Sequence, residues 1–315
     1  MTLPPLRLKK NEDRRLRAGH LWVFSNEVDT AKTPLNAFEA GQPVEIQDSK
    51  GEAIGSGYVN PHSLICARLV SRDTAHVLGK SLLVHRLNMA LSLREKLFGT
   101  DKPYYRLAFG DSDSLPGLVV DRFGDVLVAQ ITTAGMERCK ADVITALEQV
   151  IKPTAILFRN DTSSRAMEGL ESYVETALGT VPEHVMLEEN GVRFNAPLLS
   201  GQKTGWFYDH RLNRARMQQY VQGKRVLDVF SYIGGWGIQA ATAGAEQVIC
   251  VDSSAAALNL VQQNATLNNV AERVSIMEGD AFEALKSLRA DHEKFEVVIL
   301  DPPAFIKRSN DMRAG

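Results

Sequence analysis

One stretch of the sequence decides the fold: Val226-Leu227-Asp228-Val229-Phe230-Ser231-Tyr232-Ile233-Gly234-Gly235-Trp236-Gly237. Its short apolar run predicts a buried strand, and the glycines after it predict a loop that enters a helix. Glycine lets a backbone approach a ligand closely, and ligands of parallel sheets bind at the carboxyl ends of the strands. A nicotinamide dinucleotide site would need glycine at position 232, where tyrosine stands, so we exclude that class of site. The loop by itself is also compatible with a plain turn between strand and helix.

Strand and helix patterns alternate from this stretch onward. Strands are predicted at 226–230, 247–251, 274–277 and 297–300, with helices at 236–243, 254–268 and 281–288 between them. The alternation predicts a doubly wound, Rossmann-like parallel sheet of the α/β class. The sequence stops soon after Leu300, so we expect this domain to be C-terminally truncated, with four strands and an open apolar edge.

Acidic residues follow the later strands of this predicted sheet. The second strand ends at Asp252, whose carboxylate can accept hydrogen bonds from both hydroxyls of a ribose. The third leads into Asp280, which can meet an adenine amino group, with Phe282 beside the ring. The fourth ends in Asp301-Pro302-Pro303, where two prolines make the backbone rigid and suited to holding a flat base. Strand ends of this kind, in this order, favour a nucleoside-bearing ligand over a structural turn.

The sequence before residue 183 divides into two further regions. Residues 1–78 contain short strand-like runs separated by turn residues, which predicts a small β-barrel. Residues 79–182 predict an α+β domain. Its pattern comprises helices at 76–98 and 136–150 and strands at 104–109, 118–120, 126–132 and 155–158. The third region, 183–315, opens with a hairpin around Asn190-Gly191, a pair that favours a type I′ turn.

Composition and cysteine usage limit the classes of protein. Hydrophobic residues make up 44% of the chain and charged residues 23%, and no apolar run approaches the length of a membrane span. We therefore expect a cytoplasmic protein without a membrane partner. Cys66, Cys139 and Cys250 lie far apart in the sequence, which predicts neither a metal site nor a disulfide framework.

The basic residues are concentrated near the N-terminus, although the net charge of the whole chain is −2. A local basic patch is sufficient for contact with nucleic acid. Arg14, Arg15 and Arg17 are therefore candidates for contacts with RNA phosphates. The alternative is that they form an ordinary solvated face.

Three motifs carry a resemblance to a known family. They are Gly201-Gln202-Lys203-Thr204-Gly205-Trp206-Phe207-Tyr208-Asp209-His210-Arg211, Gly110-Asp111-Ser112-Asp113-Ser114-Leu115-Pro116-Gly117-Leu118-Val119-Val120-Asp121-Arg122-Phe123-Gly124-Asp125, and Gly19-His20-Leu21-Trp22-Val23-Phe24-Ser25. Together with the acidic strand ends, they resemble the class I S-adenosylmethionine (SAM) dependent methyltransferases that make 5-methylcytosine in large-subunit ribosomal RNA. The resemblance covers essentially all 315 residues.

This resemblance implies an architecture, a cofactor and a partner. The domains would be a PUA-like RNA-binding domain at 1–78, a middle α+β RNA-binding domain at 79–182 and an incomplete methyltransferase domain at 183–315. The implied SAM-binding residues are Lys203, Thr204, Phe230, Ser231, Tyr232, Gly234, Gly235, Asp252, Ser253, Asp280 and Ala281. Ribosomal RNA would be the substrate, and a homodimer is the implied assembly. The resemblance favours RNA contact by the three N-terminal arginines, while Trp22 and Phe24 are expected in the barrel core.

Carbon 5 of cytosine is not nucleophilic, so its methylation needs a thiolate that adds at carbon 6. Asp301 and Pro302 are the candidate catalytic residues, with Asp301 stabilising charge near N3 of the ring. In the family the nucleophilic cysteine follows a fifth strand, beyond residue 315, and Cys250 is expected to be buried within a strand. We therefore expect the 315-residue chain to be inactive. Two alternatives stay open: methylation of an exocyclic base amino group, and an RNA-binding module with an inactive methyltransferase fold.

Overall fold

The structure is a computed structural model that describes residues 3–303. The N-terminal part of the chain forms a mixed five-stranded sheet. The strands are β1 (Pro5–Arg7), β2 (Trp22–Val23), β3 (Gln42–Gln47), β4 (Ala53–Val59) and β5 (Ala67–Ser71), with the short helix α1 (Arg14–Arg17) after β1. Their order is β1-β3-β4-β5-β2, and only the β1–β3 pair is parallel. Leu6, Val23 and Ile46 are buried in its core, as alternating strand patterns require.

A second five-stranded sheet follows, with two long helices packed against it. Its elements are α2 (Lys80–Phe98), β6 (Tyr104–Phe109), β7 (Leu118–Phe123), β8 (Val126–Ile131), α3 (Ala134–Arg138), α4 (Lys140–Ile151), β9 (Ala155–Asn160) and β10 (Tyr173–Leu178). The strand order is β10-β9-β8-β7-β6, and the β8–β9 pair is parallel. Leu83 and Leu87 of α2 and Leu147 of α4 share one core with Val120 and Phe158 of the sheet. The helices cover one face of the sheet and give the α+β layering that the sequence predicts.

The N-terminal half departs from the sequence predictions at several boundaries. The helix predicted from residue 76 begins at Lys80, after Gly79, and the helix predicted at 136–150 is interrupted at Cys139. Strands β1 and β10 were not predicted from the sequence. Most of β10 is exposed or only half-buried, so it lacks the apolar alternation that would have revealed it.

Both sheets belong to one compact unit, Met1–Val181, and buried hydrogen bonds join them. Glu168 is central to this joint, because its carboxylate accepts bonds from Asn60 Nδ2 (2.8 Å) and Arg68 (2.9 Å) in the first sheet region. Tyr58 also donates to Thr133 Oγ1 at 3.0 Å. We call this set of contacts the Glu168 joint.

Trp22 corrects one sequence expectation. Its side chain is not in the barrel core: it is 41% exposed, and its indole N–H donates to Asp111 Oδ2 at 2.8 Å. The loop Gly110–Gly117, one of the three family-like motifs, is therefore a partner of the first sheet region. Phe24 is half-buried and lies beneath the Arg15 guanidinium, 5.0 Å from ring centroid to guanidinium carbon.

The second compact unit, Pro182–Gly315, opens with the predicted hairpin. Its strands are β11 (His184–Glu189) and β12 (Val192–Pro197). Asn190 and Gly191 have φ values of 53° and 80°, the left-handed conformation at both positions that a type I′ turn requires.

A four-stranded parallel sheet forms the rest of this unit, as predicted. Its elements are α5 (Arg211–Met217), β13 (Arg225–Val229), α6 (Gly237–Thr242), β14 (Gln247–Asp252), α7 (Ala255–Leu267), β15 (Val274–Glu278), α8 (Ala281–Ala290) and β16 (Val297–Leu300). The order β15-β14-β13-β16 places β16 on the opposite side of β13 from β14. The strand order thus reverses between β13 and β16, the switch point at which open α/β sheets bind ligands. Val229 pairs with Leu300, so the chain segments that follow leave the sheet side by side.

The outer strands of this sheet, among residues 3–303, are β15 and β16. Val298 and Leu300 of β16 are exposed apolar side chains. Within the same described range, no helix combines the length and the apolarity needed to cross a lipid bilayer.

Candidate active site

A cavity of about 560 Å³ lies at the carboxyl ends of the parallel strands. It is lined by Gln202, Lys203, Trp206, Phe207, His210, Arg214, Phe230, Ser231, Tyr232, Gly235, Trp236, Val251, Asp252, Ser253, Gly279, Asp280, Ala281, Asp301, Pro302 and Pro303. Its size suits a nucleoside-sized ligand, and its position matches the switch point of the sheet.

The loop after β13 forms the floor of the cavity in a strained conformation. Phe230 and Tyr232 have φ values of 66° and 49°, which are uncommon for residues with a Cβ atom. Hydrogen bonds hold this shape: Ser231 N donates to Val251 O at 3.0 Å, and Tyr232 N donates to Asp252 Oδ2 at 2.8 Å. Backbone strain that is held in this way is common at ligand sites.

The Asp252 carboxylate is fixed in orientation at the end of β14. Its Oδ2 accepts from Tyr232 N, and its Oδ1 accepts from Ser254 N at 2.9 Å. Each carboxylate oxygen has further acceptor capacity. The geometry fits the predicted acceptor for ribose hydroxyls.

Asp280 stands at the end of β15 and caps helix α8. Its Oδ1 accepts from Phe282 N at 2.9 Å and from Glu283 N at 3.3 Å. Ala281 also lines the cavity, whereas Phe282 is 60% exposed and is not among the lining residues in the described part of the chain. The sequence expectation that Phe282 lies beside an adenine ring therefore finds no support in this geometry.

Asp301 follows β16 and lies close to two ring nitrogens. Trp236 Nε1 donates to Asp301 Oδ2 at 3.1 Å, and His210 Nε2 lies 3.5 Å from the same oxygen. Pro302 and Pro303 continue the cavity wall. The two prolines lack N–H groups, so this part of the wall offers only carbonyl acceptors and apolar surface.

Asp228 lies behind the floor, fully buried within β13. Its Oδ2 accepts from Gly237 N at 2.8 Å, and its Oδ1 has no hydrogen-bond partner among residues 3–303. Burial raises the pKa of Asp228 to about 7, with smaller contributions from the Asp301 and Asp252 charges.

The cysteines lie away from the cavity lining. Cys250 is buried in β14, as expected from the sequence, and burial raises its thiol pKa well above the ordinary range. Burial also raises the pKa of Cys66 to about 12 and that of Cys139 to about 11. All three are therefore protonated thiols near neutral pH. Separately, residues 3–303 contain no cluster of three or more His, Cys, Asp or Glu side chains that could hold a metal ion.

A buried ion pair supports the part of the wall that packs against Gly235 of the glycine loop. Arg214 Nε donates to Glu189 Oε1 at 2.6 Å, and its NH2 group donates to the Phe207 carbonyl at 2.6 Å. Trp206 Nε1 and Gln239 Nε2 also donate to the Glu189 carboxylate, both at 3.0 Å. The network fixes the segment that presents Trp206, Phe207 and His210 to the cavity.

Most of the sequence-predicted site residues meet at this cavity. Lys203, Phe230, Ser231, Tyr232, Gly235, Asp252, Ser253, Asp280, Ala281, Asp301 and Pro302 all line it. Thr204 and Gly234 are not among the lining residues in the described chain. Thr204 is buried and donates to Trp206 O at 3.2 Å, and a Cβ at Gly234 would lie 2.8 Å from Ile238 Cγ1, so both shape the wall from behind.

Sequence reasoning missed five aromatic or basic side chains of the cavity lining. They are Trp206, Phe207, His210, Arg214 and Trp236. Trp206, Phe207 and His210 lie inside the family-like segment 201–211, so that motif was the available signal. Arg214 and its partner Glu189 had none, because their contact joins a hairpin to a helix over a long sequence separation.

The three N-terminal arginines differ in their surroundings. Arg15 donates to Glu27 at 2.7 Å, and Arg17 donates to Asp13 at 2.7 Å and to Asp48 at 3.3 Å. Arg14 is exposed, and no hydrogen bond or ion pair joins its side chain to another residue of the described range. Carboxylates partly neutralise two of the three predicted phosphate contacts.

Comparison with known proteins assigns the chain to a family. Residues 6–72 match the PUA-like domain family, and residues 165–313 match the S-adenosylmethionine-dependent methyltransferase family. A ribosomal RNA large subunit methyltransferase I from Aliivibrio fischeri (strain MJ11) is 37% identical over 308 residues, which cover 97% of this chain and 77% of that protein. The protein of the same name from Escherichia coli (strain UTI89 / UPEC) is 34% identical with the same coverage. The chain belongs to the ribosomal RNA large subunit methyltransferase I family.

Solved structures agree with this membership at the level of the fold. The methyltransferase SMU.776, complexed with SAH, has a TM-score of 0.83 at 22% identity and covers 98% of this chain and 78% of its own. A SAM-dependent methyltransferase from Streptococcus mutans has a TM-score of 0.80 at 21% identity, covering 96% and 77%. The architecture is a PUA-like domain followed by a Rossmann-like methyltransferase fold, as the sequence predicts.

S-adenosylmethionine is the cofactor of this family, and the cavity suits it. The ligand carries a ribose, an adenine and a positively charged sulfonium. Asp252, Asp280 and Asp301 supply acceptors and negative charge along the lining, while the glycine loop allows close backbone approach.

Proposed function

We propose that this protein transfers a methyl group from SAM to carbon 5 of a cytosine in large-subunit ribosomal RNA. The observation that carries the proposal is the Asp301-Pro302-Pro303 turn, which lies on the same cavity as the proposed cofactor residues. The names of the relatives, ribosomal RNA large subunit methyltransferase I, support the substrate class.

In our proposal some residues of the cavity bind the cofactor and others contact the target base. SAM supplies an electrophilic methyl group when bound. In our proposal Asp252 holds the ribose, Asp280 and Ala281 hold the adenine side, and the 230–235 loop approaches the remainder. Asp301 carries a proton to N3 of the target ring, where negative charge develops when the thiolate adds at carbon 6, and Pro302 keeps the adjoining wall rigid.

The thiolate that must add at carbon 6 is not supplied by Cys66, Cys139 or Cys250. Each is a thiol of raised pKa, and none lines the cavity as the structure describes it. None of these three cysteines is therefore the nucleophile in our proposal. This observation also favours the second candidate, methylation of an exocyclic amino group, because that reaction needs no thiolate and Asp301 can accept an amino hydrogen.

The proposal includes an RNA-binding role for the N-terminal unit. The PUA-like domain (1–78) and the middle domain (79–182) would both contact ribosomal RNA. Arg14 and Arg17 are both exposed, but Arg15 and Arg17 would contribute less than Arg14 because carboxylates of the described residues pair with them. The homodimer stays a prediction.

Tritium release separates the two reactions. The natural full-length protein is incubated with SAM and undermodified ribosomal RNA that carries tritium at carbon 5 of cytosine. Carbon-5 methylation must displace one tritium into water for each methyl transferred. We expect equal tritium release and methyl incorporation, 5-methylcytidine after nuclease digestion, and loss of both signals in Asp301→Ala.

Methyl incorporation without tritium release would reject carbon 5 and leave the amino group as the target. Methylation of small-subunit RNA or transfer RNA in preference to large-subunit RNA would reject the substrate. RNA binding with no transfer at all would support the inactive RNA-binding module.

A further inference from the structure

One oxygen of Asp301 is approached by ring nitrogens from two different segments, one through a hydrogen bond and one through a longer contact. Trp236 Nε1 donates to Oδ2 at 3.1 Å, from the end of the glycine loop after β13. His210 Nε2 lies 3.5 Å from the same oxygen, at the end of the turn Tyr208–His210 before α5. No hydrogen bond joins Oδ1 to another residue in the described part of the chain.

The two rings are held in place by packing. The Trp236 and His210 rings lie 5.7 Å apart between centroids, at an interplanar angle of 47°. The Arg214 guanidinium lies 5.7 Å from the Trp236 ring centroid and is itself bonded to buried Glu189. Within the described residues, the Asp301 and Asp209 carboxylates lie 3.5 Å and 4.0 Å from His210 Nε2, and the Arg214 guanidinium lies near the Trp236 ring that His210 contacts.

We propose that Trp236 and His210 are positioning residues, which hold Oδ2 of Asp301 so that Oδ1 is the oxygen presented to the target base. The Trp236 hydrogen bond and the His210 contact, both on one oxygen, restrict rotation of the carboxylate about its last bond. This inference rests on the proposed function, in which Asp301 contacts the base. Trp236 and His210 thereby have a role that is separate from cofactor binding and from the Asp301-Pro302-Pro303 motif.

Three substitutions in the full-length protein test the inference. Trp236→Phe removes the indole N–H and keeps an aromatic ring beside Arg214. His210→Leu removes the imidazole contact, and His210→Gln is its matched control, because the glutamine amide places an N–H at a similar position. We expect Trp236→Phe and His210→Leu to slow single-turnover methyl transfer about 10- to 100-fold, the scale of a misplaced reacting group. His210→Gln should stay within about threefold of the parent, the residual cost of a more flexible side chain.

SAM affinity separates positioning from general damage to the site. Calorimetric titration of each variant with SAM should give a Kd within about twofold of the parent. An equal loss in SAM affinity and in rate would overturn the inference, because the substitution would then act through the cofactor site. His210→Gln as slow as His210→Leu would overturn it as well.

A double-substitution cycle tests whether both residues act through Asp301. In an Asp301→Asn background, adding Trp236→Phe or His210→Leu should slow the reaction no further, since the oriented carboxylate is already lost. Additive losses would show that the two residues act elsewhere and would overturn the inference. Failure of the proposed function would be seen separately, because the unsubstituted protein would then form a product other than 5-methylcytidine. The rate comparisons between variants remain valid whichever base is methylated. If His210→Leu does not fold, the inference is tested by Trp236→Phe alone and by the double-substitution cycle of Trp236→Phe with Asp301→Asn.

Discussion

Asp228 shows how a single buried carboxyl can couple the site to pH. It lies under the glycine loop, with one oxygen bonded to Gly237 N and the other without a partner in residues 3–303. Burial disfavours the charged form, so the pKa rises from an ordinary 3.8 to about 7 in the folded protein. At a pH between these two values the folded protein keeps a proton that the unfolded chain releases.

The sign of the resulting pH dependence follows from this proton. Asp228 should lower the free energy of unfolding as the pH rises from about 4 to about 7, by up to about 1.4 kcal/mol per pH unit, and hold it lower above that range. Asp228→Asn keeps an acceptor for Gly237 N and removes the ionisation. Denaturant unfolding of the cofactor-free proteins at pH 5, 6, 7 and 8 should therefore show a flatter dependence for Asp228→Asn. Parallel curves for the two proteins would contradict this expectation.

At the scale of elements, helix α6 packs unusually close to the parallel sheet because it begins at Gly237. A Cβ at this position would lie 2.5 Å from Cys250 Sγ in β14 and 3.1 Å from Asp228 Oδ2 in β13. Gly237→Ala must therefore push the helix away from the sheet. We expect a loss of about 1–3 kcal/mol in unfolding free energy, the usual range for an overpacked core.

Gly79→Ala is the matched control for this substitution. Gly79 also precedes a helix, but its backbone is extended at φ 174°, and an added Cβ would meet only Asp142 Oδ2 at 3.7 Å. Its unfolding free energy should change by less than about 0.5 kcal/mol. Equal losses in the two alanine variants would show that glycine flexibility, and not the close approach of α6, sets the effect.

The elements also show what sequence patterns can and cannot predict. The strands at Tyr104–Phe109 and Val297–Leu300 were predicted with the observed bounds, because apolar runs with clear turn residues define a strand locally. The positions of Asp252 and Asp301 followed from strand ends alone. The break between α3 and α4 was missed because it occurs at Cys139, which is no helix breaker. The Glu189–Arg214 pair was missed because a contact between distant segments leaves no periodic signal.

At the scale of the whole molecule, the Glu168 joint should control the integrity of the N-terminal unit. Glu168→Ala would leave the Arg68 guanidinium, whose side chain is 11% exposed, without its carboxylate partner, and Asn60 Nδ2 would keep only the backbone carbonyl of residue 168. Breaking a buried pair on one side typically costs about 3–5 kcal/mol. We expect a loss of that order in unfolding free energy and faster proteolytic cleavage in the segment between β5 and α2.

A surface ion pair between the same two regions provides the control. Arg138 donates to Glu39 at 3.0 Å, and both side chains are largely exposed. Glu39→Ala should change the unfolding free energy by no more than about 1 kcal/mol and leave the cleavage rate unchanged. Similar proteolysis of both variants would mean that the joint does not depend on the buried carboxylate.

The Glu168 joint also bears on how this architecture can be recombined. The PUA-like match ends at residue 72. The carboxylate that accepts from Asn60 and Arg68 nevertheless comes from the turn Ser163–Glu168, which lies between β9 and β10 in the sequence. A PUA-like domain excised at its sequence boundary would carry two orphaned polar groups into its new host. In this protein the domain is therefore not a portable module, and a functional transplant would have to carry the two sheets together.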